Sequence, residues 1–478
     1  MDVATATPTR TARARGYDAS GFYDEAFDAA GDARAAYDAV LASLEDADLR
    51  GLSARVNADP CARATTFTVA GRTQQFPLDP VPRIIGVAEW DRLCRGLEQR
   101  ARALNAFVAD VYGGRRIVEA GIVPARTIDG CEHFEPWMLG VEVPWGHATV
   151  AGYDVVRGAD GRLRILEDNT RTPSGMAYAS AARRVVDAHL PRAARPLRRD
   201  FDDCYDLLAD ALRAAAPDGR GDPSIAMLSD GPSNSAWYEH RAIARRLGIS
   251  ICEPADLRPR NGRLHLALPS GRLRELQVLY RRTDQDRLSD GRGGATWLTE
   301  ALLSPLRRGT LAIVNTPGSG VADDKLVHAY VEDMIRFYLG EDPLVESVRT
   351  YDLGEPSERV RALGRLQALV VKPRAGHGGR GVVIGPHATP AERELAAAAI
   401  RARPEDFVAQ ETIDLSRHPT ICDGRLEPRH VDLRVFSIAS GASVNVVPGG
   451  LTRVALERGS LIVNSSRNGG GKDTWVLA

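Results

Sequence analysis

The segment from Leu369 to Gly385 limits the fold of this chain more than any other. A short apolar run, Leu369-Val-Val, ends on Lys372. Four glycines, Gly376, Gly378, Gly379 and Gly381, then fall within six positions around His377, before a second apolar run at Val382-Val-Ile384. The β-branched residues on either side predict strands over Leu366–Lys372 and Val382–Ile384. Between them the glycines permit a tight hairpin whose N–H groups can close on phosphate oxygens with no Cβ in the way. This is neither the P-loop nor the dinucleotide-binding pattern, because no Gly-Lys-Ser/Thr follows and a strand, not a helix, comes next. Taken alone, a glycine hairpin is more often a plain turn; the order strand, lysine, glycines, strand is what favours the phosphate reading.

Lysine usage adds weight to the phosphate reading. Of 62 basic residues only Lys325, Lys372 and Lys472 are lysine, and all three lie in the last third of the chain. A chain this rich in arginine keeps lysine where a planar guanidinium does not fit, and a compact ammonium among phosphate oxygens is one such place. Lys325 closes Asn315-Thr-Pro-Gly-Ser-Gly-Val-Ala-Asp-Asp-Lys and opens a predicted amphipathic helix through Leu326, Tyr330, Met334 and Phe337 to Gly340. Asp323 and Asp324 can simply balance its charge.

Two further segments carry candidate chemistry. In Ile165-Leu-Glu-Asp-Asn-Thr-Arg-Thr-Pro-Ser-Gly175, Glu167 and Asn169 fall on one side of a predicted strand. Two hard oxygen donors on one face suit Mg²⁺, although solvent-facing polar residues are the plainer alternative. Asp154 sits on the preceding strand of a predicted hairpin over 146–168, with its turn at Gly158-Ala-Asp-Gly161. In Arg429-His-Val-Asp-Leu-Arg-Val-Phe436, Arg434 is set among apolar residues. A buried charge must be paired, either with an anionic ligand or with Asp432 or another acid.

The rest sorts by pattern. Residues 1–16 read as a disordered tail, and 17–145 as mostly helical, with helices over Asp32–Leu44 and Glu89–Tyr112. Residues 146–216 hold the hairpin and further helix, 217–345 an α/β lobe, and 346–478 the lysine–glycine unit followed by strands. Thr389, Pro390 and Glu392 form a helix start of the capping-box type. The fold class is α/β (α+β). The net charge of −1 gives no electrostatic reason for a nucleic-acid or membrane partner. Six scattered cysteines without a CxxC read as reduced thiols of a cytoplasmic protein, and no apolar run is long enough to span a bilayer.

Together these segments closely resemble the circularly permuted ATP-grasp family. The motifs are LEDNTRTPSG (166–175), NTPGSGVADDK (315–325), VVKPRAGHGGRG (370–381), VAQE (408–411), RHVDLRVF (429–436), PGGLTRVA (448–455) and GSLIVNSS (459–466), in one order over roughly residues 50–478. In ordinary ATP-grasp enzymes the lysines and glycine loop precede the metal-binding strands. Here Glu167 and Asn169 come first, so the resemblance implies an ATP-grasp fold with permuted order. It also implies ATP and Mg²⁺ as cofactors. Lys325, Lys372, Gly376, His377, Gly378, Gly379, Gly381, Gln410, Glu411 and Arg434 would hold the nucleotide. Asp154, Glu167 and Asn169 would hold the metal. Arg171, Lys372, Arg434 and Arg453 would act in catalysis, and Ser174 on the substrate side. Arg281, Arg282 and Asp284 read as a substrate-side cluster on the α/β lobe or, equally, as an exposed ion-pair patch. Two departures are local. Tyr178-Ala-Ser-Ala-Ala-Arg183 has Ala181 and Ala182 where the family has Glu and Asn, and Ser466-Arg-Asn-Gly-Gly-Gly-Lys472 differs from the family loop.

The implied activity is ATP-dependent joining of a small-molecule or peptide carboxylate to an amine through an acyl phosphate. A nucleotide-binding scaffold without turnover and a phosphotransferase are the competing readings. The oligomeric state stays open.

Overall fold

The structure, a computed structural model, describes residues 17–18, 21–69, 71–217, 222–283, 288–289, 294–375, 381–460, 463 and 469–478. A seven-stranded sheet forms its centre. In spatial order the strands are Leu78–Ile85, Gly469–Val476, Ser443–Ala455, Arg425–Ser440, Val150–Arg157 and Leu163–Asn169, with Arg417–Cys422 paired to Arg425–Ser440 off this path. Neighbours are antiparallel except Leu78–Ile85 and Gly469–Val476, which run parallel. Strands from the two ends of the chain are therefore interleaved, as the permuted motif order implies.

The expected hairpin is present as Val150–Arg157 and Leu163–Asn169, turning at Gly161 with φ +75°. The region 17–145 is less helical than expected. Its helices include Asp38–Glu45, Leu49–Ala58 and Val87–Val111, and the last of these ends before Gly113-Gly114 as predicted. However, Thr66–Val69 and Arg72–Gln75 form a ribbon, and Leu78–Ile85 joins the main sheet. Pro80 and Pro82 hide that strand from a sequence reading. At the end of the sheet order a residue without N–H is tolerated.

Two four-stranded sheets are formed by the chain between Leu163–Asn169 and Arg417–Cys422. Thr350–Asp352, Phe407–Glu411, Leu369–Pro373 and Val383–Ile384 form an antiparallel sheet in that order. Helix Pro390–Ala402 starts on the expected Thr389/Glu392 capping box, and its Ala397 and Ile400 pack with Leu369, Val371 and Ala409. The α/β lobe is a parallel sheet ordered Ala312–Val314, Val278–Arg281, Ile225–Leu228 and Ser250–Cys252, with helix Trp237–Leu247 between the last two. No helix among the described residues is long and apolar enough to cross a membrane.

Buried ion pairs tie the N-terminal segment to the central sheet. Glu25 accepts hydrogen bonds from Arg83 Nη2 (2.6 Å), Arg157 Nε (3.0 Å) and Ser416 Oγ (2.6 Å), all buried. The third lysine belongs to the same side of the molecule. Lys472 is fully buried, pairs with Asp79 directly across the parallel strands, and donates to the carbonyl of Pro419 at 3.0 Å. It is a structural cation.

Burial alone would push the Glu25 carboxyl up, but Arg157 and Arg83 outweigh it and hold it well below the usual range. Glu25→Ala leaves two arginines buried without their shared acid and is expected to cost about 3–5 kcal/mol in urea denaturation at pH 7. Because the folded pKa is depressed, this contribution is present above the unfolded value of about 4.3 and fades as the pH falls below it, so the gap between wild type and variant should narrow in acid.

Candidate active site

Strand register builds the first wall. Asp154 lies directly opposite Glu167 on one neighbouring strand and Arg434 on the other, and Asp432 lies opposite Arg453. Opposed residues share a face, as do residues two apart on a strand, so Glu167, Asp154, Arg434, Asp432 and Arg453 all line one side of the sheet. Arg434 binds Asp154 through Nε and through Nη2 at 3.1 Å. Arg453 Nη2 reaches the same carboxylate at 2.8 Å, while its Nε donates to Asp432 at 2.8 Å. The acid that satisfies Arg434 is therefore Asp154, and Asp432 is held by Arg453. Burial would push the Asp154 carboxyl up, but the two guanidinium groups hold it well below the usual range. Gly152 makes this possible, since a Cβ there would lie 2.8 Å from Pro173 and 3.2 Å from Arg434 Cδ.

The four-stranded sheet supplies the second wall. Lys372 is opposite Val408 and Gln410 is opposite Val370, which puts both on one face. Lys372 Nζ donates to Gln410 Oε1 at 2.6 Å, and Gln410 Nε2 donates to Thr350 Oγ1 at 3.0 Å and to the Leu166 carbonyl at 3.2 Å. Burial lowers the Lys372 pKa, Glu167 opposes the shift, and Lys325 adds to it. Glu411 points to the other face, where it accepts hydrogen bonds from Tyr351 Oη (2.5 Å) and Arg365 Nη1 (3.0 Å). Of the expected pair, Gln410 alone enters the cleft.

The 315–325 motif closes the site. The single helix expected from Lys325 to Gly340 is two, Lys325–His328 and Val331–Leu339, the second ended by Gly340 at φ +66°. The acids before Lys325 do more than balance it. Asp324 caps the first helix, accepting from Leu326 N at 2.9 Å, and forms a buried pair with Arg374 Nε at 2.8 Å. Arg374 follows Lys372 by two residues, and its carbonyl lies 3.4 Å from Lys325 Nζ. The Asp324–Arg374 pair thus sets the two lysines beside each other. Asp323 accepts from Thr170 Oγ1 (2.7 Å), Arg171 N (3.2 Å) and Arg171 Nε (2.7 Å). Leu166, Glu167, Lys325, His328, Lys372 and Gln410 are among the residues lining the resulting cleft.

Other expected residues take different places. Arg282 forms a buried clasp, donating to the Pro173 carbonyl (2.7 Å), Ser174 Oγ (2.8 Å) and Glu239 Oε1 (3.0 Å). Glu239 in turn accepts from Gly175 N and Ala177 N. Arg282 and Ser174 therefore hold the 166–175 loop against the α/β lobe. Arg281 is buried and donates to the carbonyls of Asn315, Thr283 and Thr316. Burial and the neighbouring Arg171 lower its pKa to about 10. Gly381 has φ +72°, and a Cβ there would lie 2.8 Å from Pro373 Cγ, so only glycine fits. Ala181 and Ala182 are fully buried. Gly376, His377, Gly378, Gly379 and Asp284 lie outside the described residues.

Asn315 is a positioning residue that the sequence reading passed over. Its Oδ1 accepts from Val150 N at 2.7 Å, and its Nδ2 donates to the carbonyls of Val150 (2.6 Å) and Thr170 (2.7 Å). One amide joins the α/β lobe to the start of the first hairpin strand and to Thr170, just past the end of the second. A lone Asn after the apolar run Ala312-Ile-Val was the available signal.

The donor set fits Mg²⁺ in part. Asn169 Nδ2 is buried without a hydrogen-bond partner, and turning the amide over would present its oxygen instead. Glu167 lines the cleft beside it. Asp154 must give up arginine contacts to bind a cation. No group of three or more His, Cys, Asp or Glu side chains able to hold a metal gathers among the described residues, so phosphate oxygens or water would have to complete the shell.

Comparison with known proteins agrees with this geometry. The family model for circularly permuted ATP-grasp type 2 matches residues 82–455. An uncharacterized protein of Mycobacterium tuberculosis is 41% identical over 486 residues, covering 99% of this chain and 88% of its own. A protein of Frankia casuarinae, named "Putative glutamate--cysteine ligase 2-2", is 44% identical over 464 residues, covering 95% of this chain and 53% of its own. Among solved structures, a glutathione synthetase-like effector from Globodera pallida superposes with a TM-score of 0.56 at 14% identity, covering 90% of this chain and 98% of that one. The chain belongs to the circularly permuted ATP-grasp family, type 2.

Proposed function

We propose that the protein is an ATP-dependent ligase that activates a substrate carboxylate as an acyl phosphate and joins it to an amine, releasing ADP and phosphate. The convergence of Lys325 and Lys372 on one cleft with Glu167 carries this reading. Two ammonium groups suit a polyphosphate, and a carboxylate beside them suits the metal that accompanies it. Mg²⁺ bound at Glu167, Asn169 and Asp154 would neutralise phosphate charge. Lys325 and Lys372 bind and orient the phosphates as charge spreads over the transferring group. Arg434 and Arg453 serve the same face, and an anionic ligand arriving there competes with Asp154 for them. Arg171, held by Asp323, is the candidate for the substrate carboxylate. An amino acid or peptide is the substrate class in view, supported by the name of the Frankia relative, a protein about twice as long as the matched region.

The reading predicts ADP and phosphate release that depends on both a carboxylate and an amine; AMP and pyrophosphate in their place would contradict it. Lys372→Ala should lower that release about 100-fold or more while the thermal melt stays that of a folded protein. Wild-type turnover in the variant would remove Lys372 from the phosphate site.

Arg374→Ala should act through the lysines. With Asp324 released, KM for MgATP should rise about tenfold with a smaller change in kcat. An unchanged KM in a folded variant would show that the ion pair does not set the lysine spacing.

A further inference from the structure

The cleft holds one polar group that the ligase reading leaves without a task. His328 ends the helix Lys325–His328, is 6% exposed, and lines the cleft with Lys325, Lys372 and Gln410. Its Nδ1 lies 2.8 Å from Asp168 Oδ2. Asp168 is itself clamped by Arg100, with Nε 2.6 Å from Oδ1 and Nη2 2.7 Å from Oδ2, and Arg100 Nη1 is anchored on Ser347 Oγ at 2.9 Å. A carboxylate taking two guanidinium N–H bonds is an acceptor only, so the imidazole must present N–H to it through Nδ1. Arg100 Nη2 also lies 3.1 Å from that nitrogen, and one of its two hydrogens goes to Asp168 Oδ2; the shorter 2.8 Å approach of Nδ1 to the ionised carboxylate is what requires the proton on Nδ1. In the neutral ring the lone pair is then on Nε2, and Nε2 is buried with no hydrogen-bond partner among the described residues.

Most other side-chain acceptors around the cleft are occupied. Gln410 Oε1 takes Lys372, Thr350 Oγ1 takes Gln410, Asp324 takes Arg374, and Asp323 takes Thr170 and Arg171. Glu167 is assigned to the metal. Leu166, Ala322 and Val408 add apolar surface. Apolar lining residues together with an unpaired buried acceptor, beside two lysines proposed to meet phosphates, suit the flat ring and N–H or O–H donors of a nucleoside.

We propose that His328 Nε2 accepts a hydrogen bond from the nucleoside of ATP, from the adenine amine or a ribose hydroxyl, and thereby sets nucleotide preference. Asp168 and Arg100 are positioning residues that fix the tautomer. The proposal rests on the cleft being the ATP site. A nucleotide lacking the donor leaves a buried acceptor unpaired, and hypoxanthine sets a carbonyl oxygen where adenine has its amine, so discrimination follows from the empty or opposed lone pair.

Titration calorimetry on the full chain with Mg²⁺ and ATP, ITP or 2′-deoxyATP tests this. Wild type should bind ATP about tenfold tighter than one analogue, ITP if the amine is read and 2′-deoxyATP if the hydroxyl is. His328→Phe should bring that ratio to about twofold or less, mainly by weakening ATP. Wild type that binds ATP and both analogues alike, or a variant that keeps the wild-type ratio, overturns the proposal while leaving the ligase reading standing. Wild type that binds no nucleotide overturns both. Histidine ¹⁵N spectra of the wild type provide a check without substitution. One imidazole of the Nδ1–H tautomer should shift its Nε2 resonance on MgATP and not on the weaker analogue, and no such shift overturns the proposal.

Discussion

Asp154 meeting Arg434 across neighbouring strands is the interaction on which the rest of the site depends. The two residues are 280 positions apart and directly opposed in register. A carboxylate buried to this degree is strongly unfavourable unless guanidinium groups surround it. Arg434 and Arg453 do so, and Asp432 balances Arg453 in turn. A one-residue slip in either strand pair would turn these charges into the opposite face. The ionic row therefore sets register as well as chemistry. It also explains how a permuted chain keeps the site. Register depends on which strands pair, and Val150–Arg157 pairs with Arg425–Ser440 whichever comes first in the sequence.

A second set of contacts brings Lys325 and Lys372 to that row. Asn315 stitches the α/β lobe to the hairpin, Asp323 grips Thr170 and Arg171, and Asp324 grips Arg374. Each of these acids and amides sits within the segment that ends on Lys325. The segment is thus a buckle joining three parts of the chain, with Lys325 at its tip. Lys372 arrives from the four-stranded sheet and is steadied by Gln410. The lysines proposed to meet the nucleotide and the charges that hold the scaffold are close neighbours in sequence, so a substitution in either is expected to disturb both.

Local patterns with one solution were legible in the sequence. The hairpin around Gly161, the strand delivering Lys372, and the Thr389–Glu392 capping box follow from alternation, β-branching and cap chemistry. What depended on tertiary pairing was hidden. Leu78–Ile85 contains two prolines and is a strand because Gly469–Val476 pairs with it. The break between Lys325–His328 and Val331–Leu339 carries no glycine or proline. Gln410 and Glu411 are both polar and adjacent, and only register says which enters the cleft. Arg282 looked like a substrate group because its acid, Glu239, lies 43 positions away on another element. Lysine scarcity marked all three lysines alike, although Lys472 is fixed to Asp79 in the core.

Lys325 and Lys372 come from different parts of the chain, and the proposed function requires them to act on one nucleotide. A double-mutant cycle on MgATP affinity tests it most directly, with wild type, Lys325→Ala, Lys372→Ala and the double variant measured by titration calorimetry. Two cations on one polyphosphate should couple, so the double variant should depart from additivity by about 1 kcal/mol or more. Strict additivity, or wild-type affinity in both single variants, would contradict it.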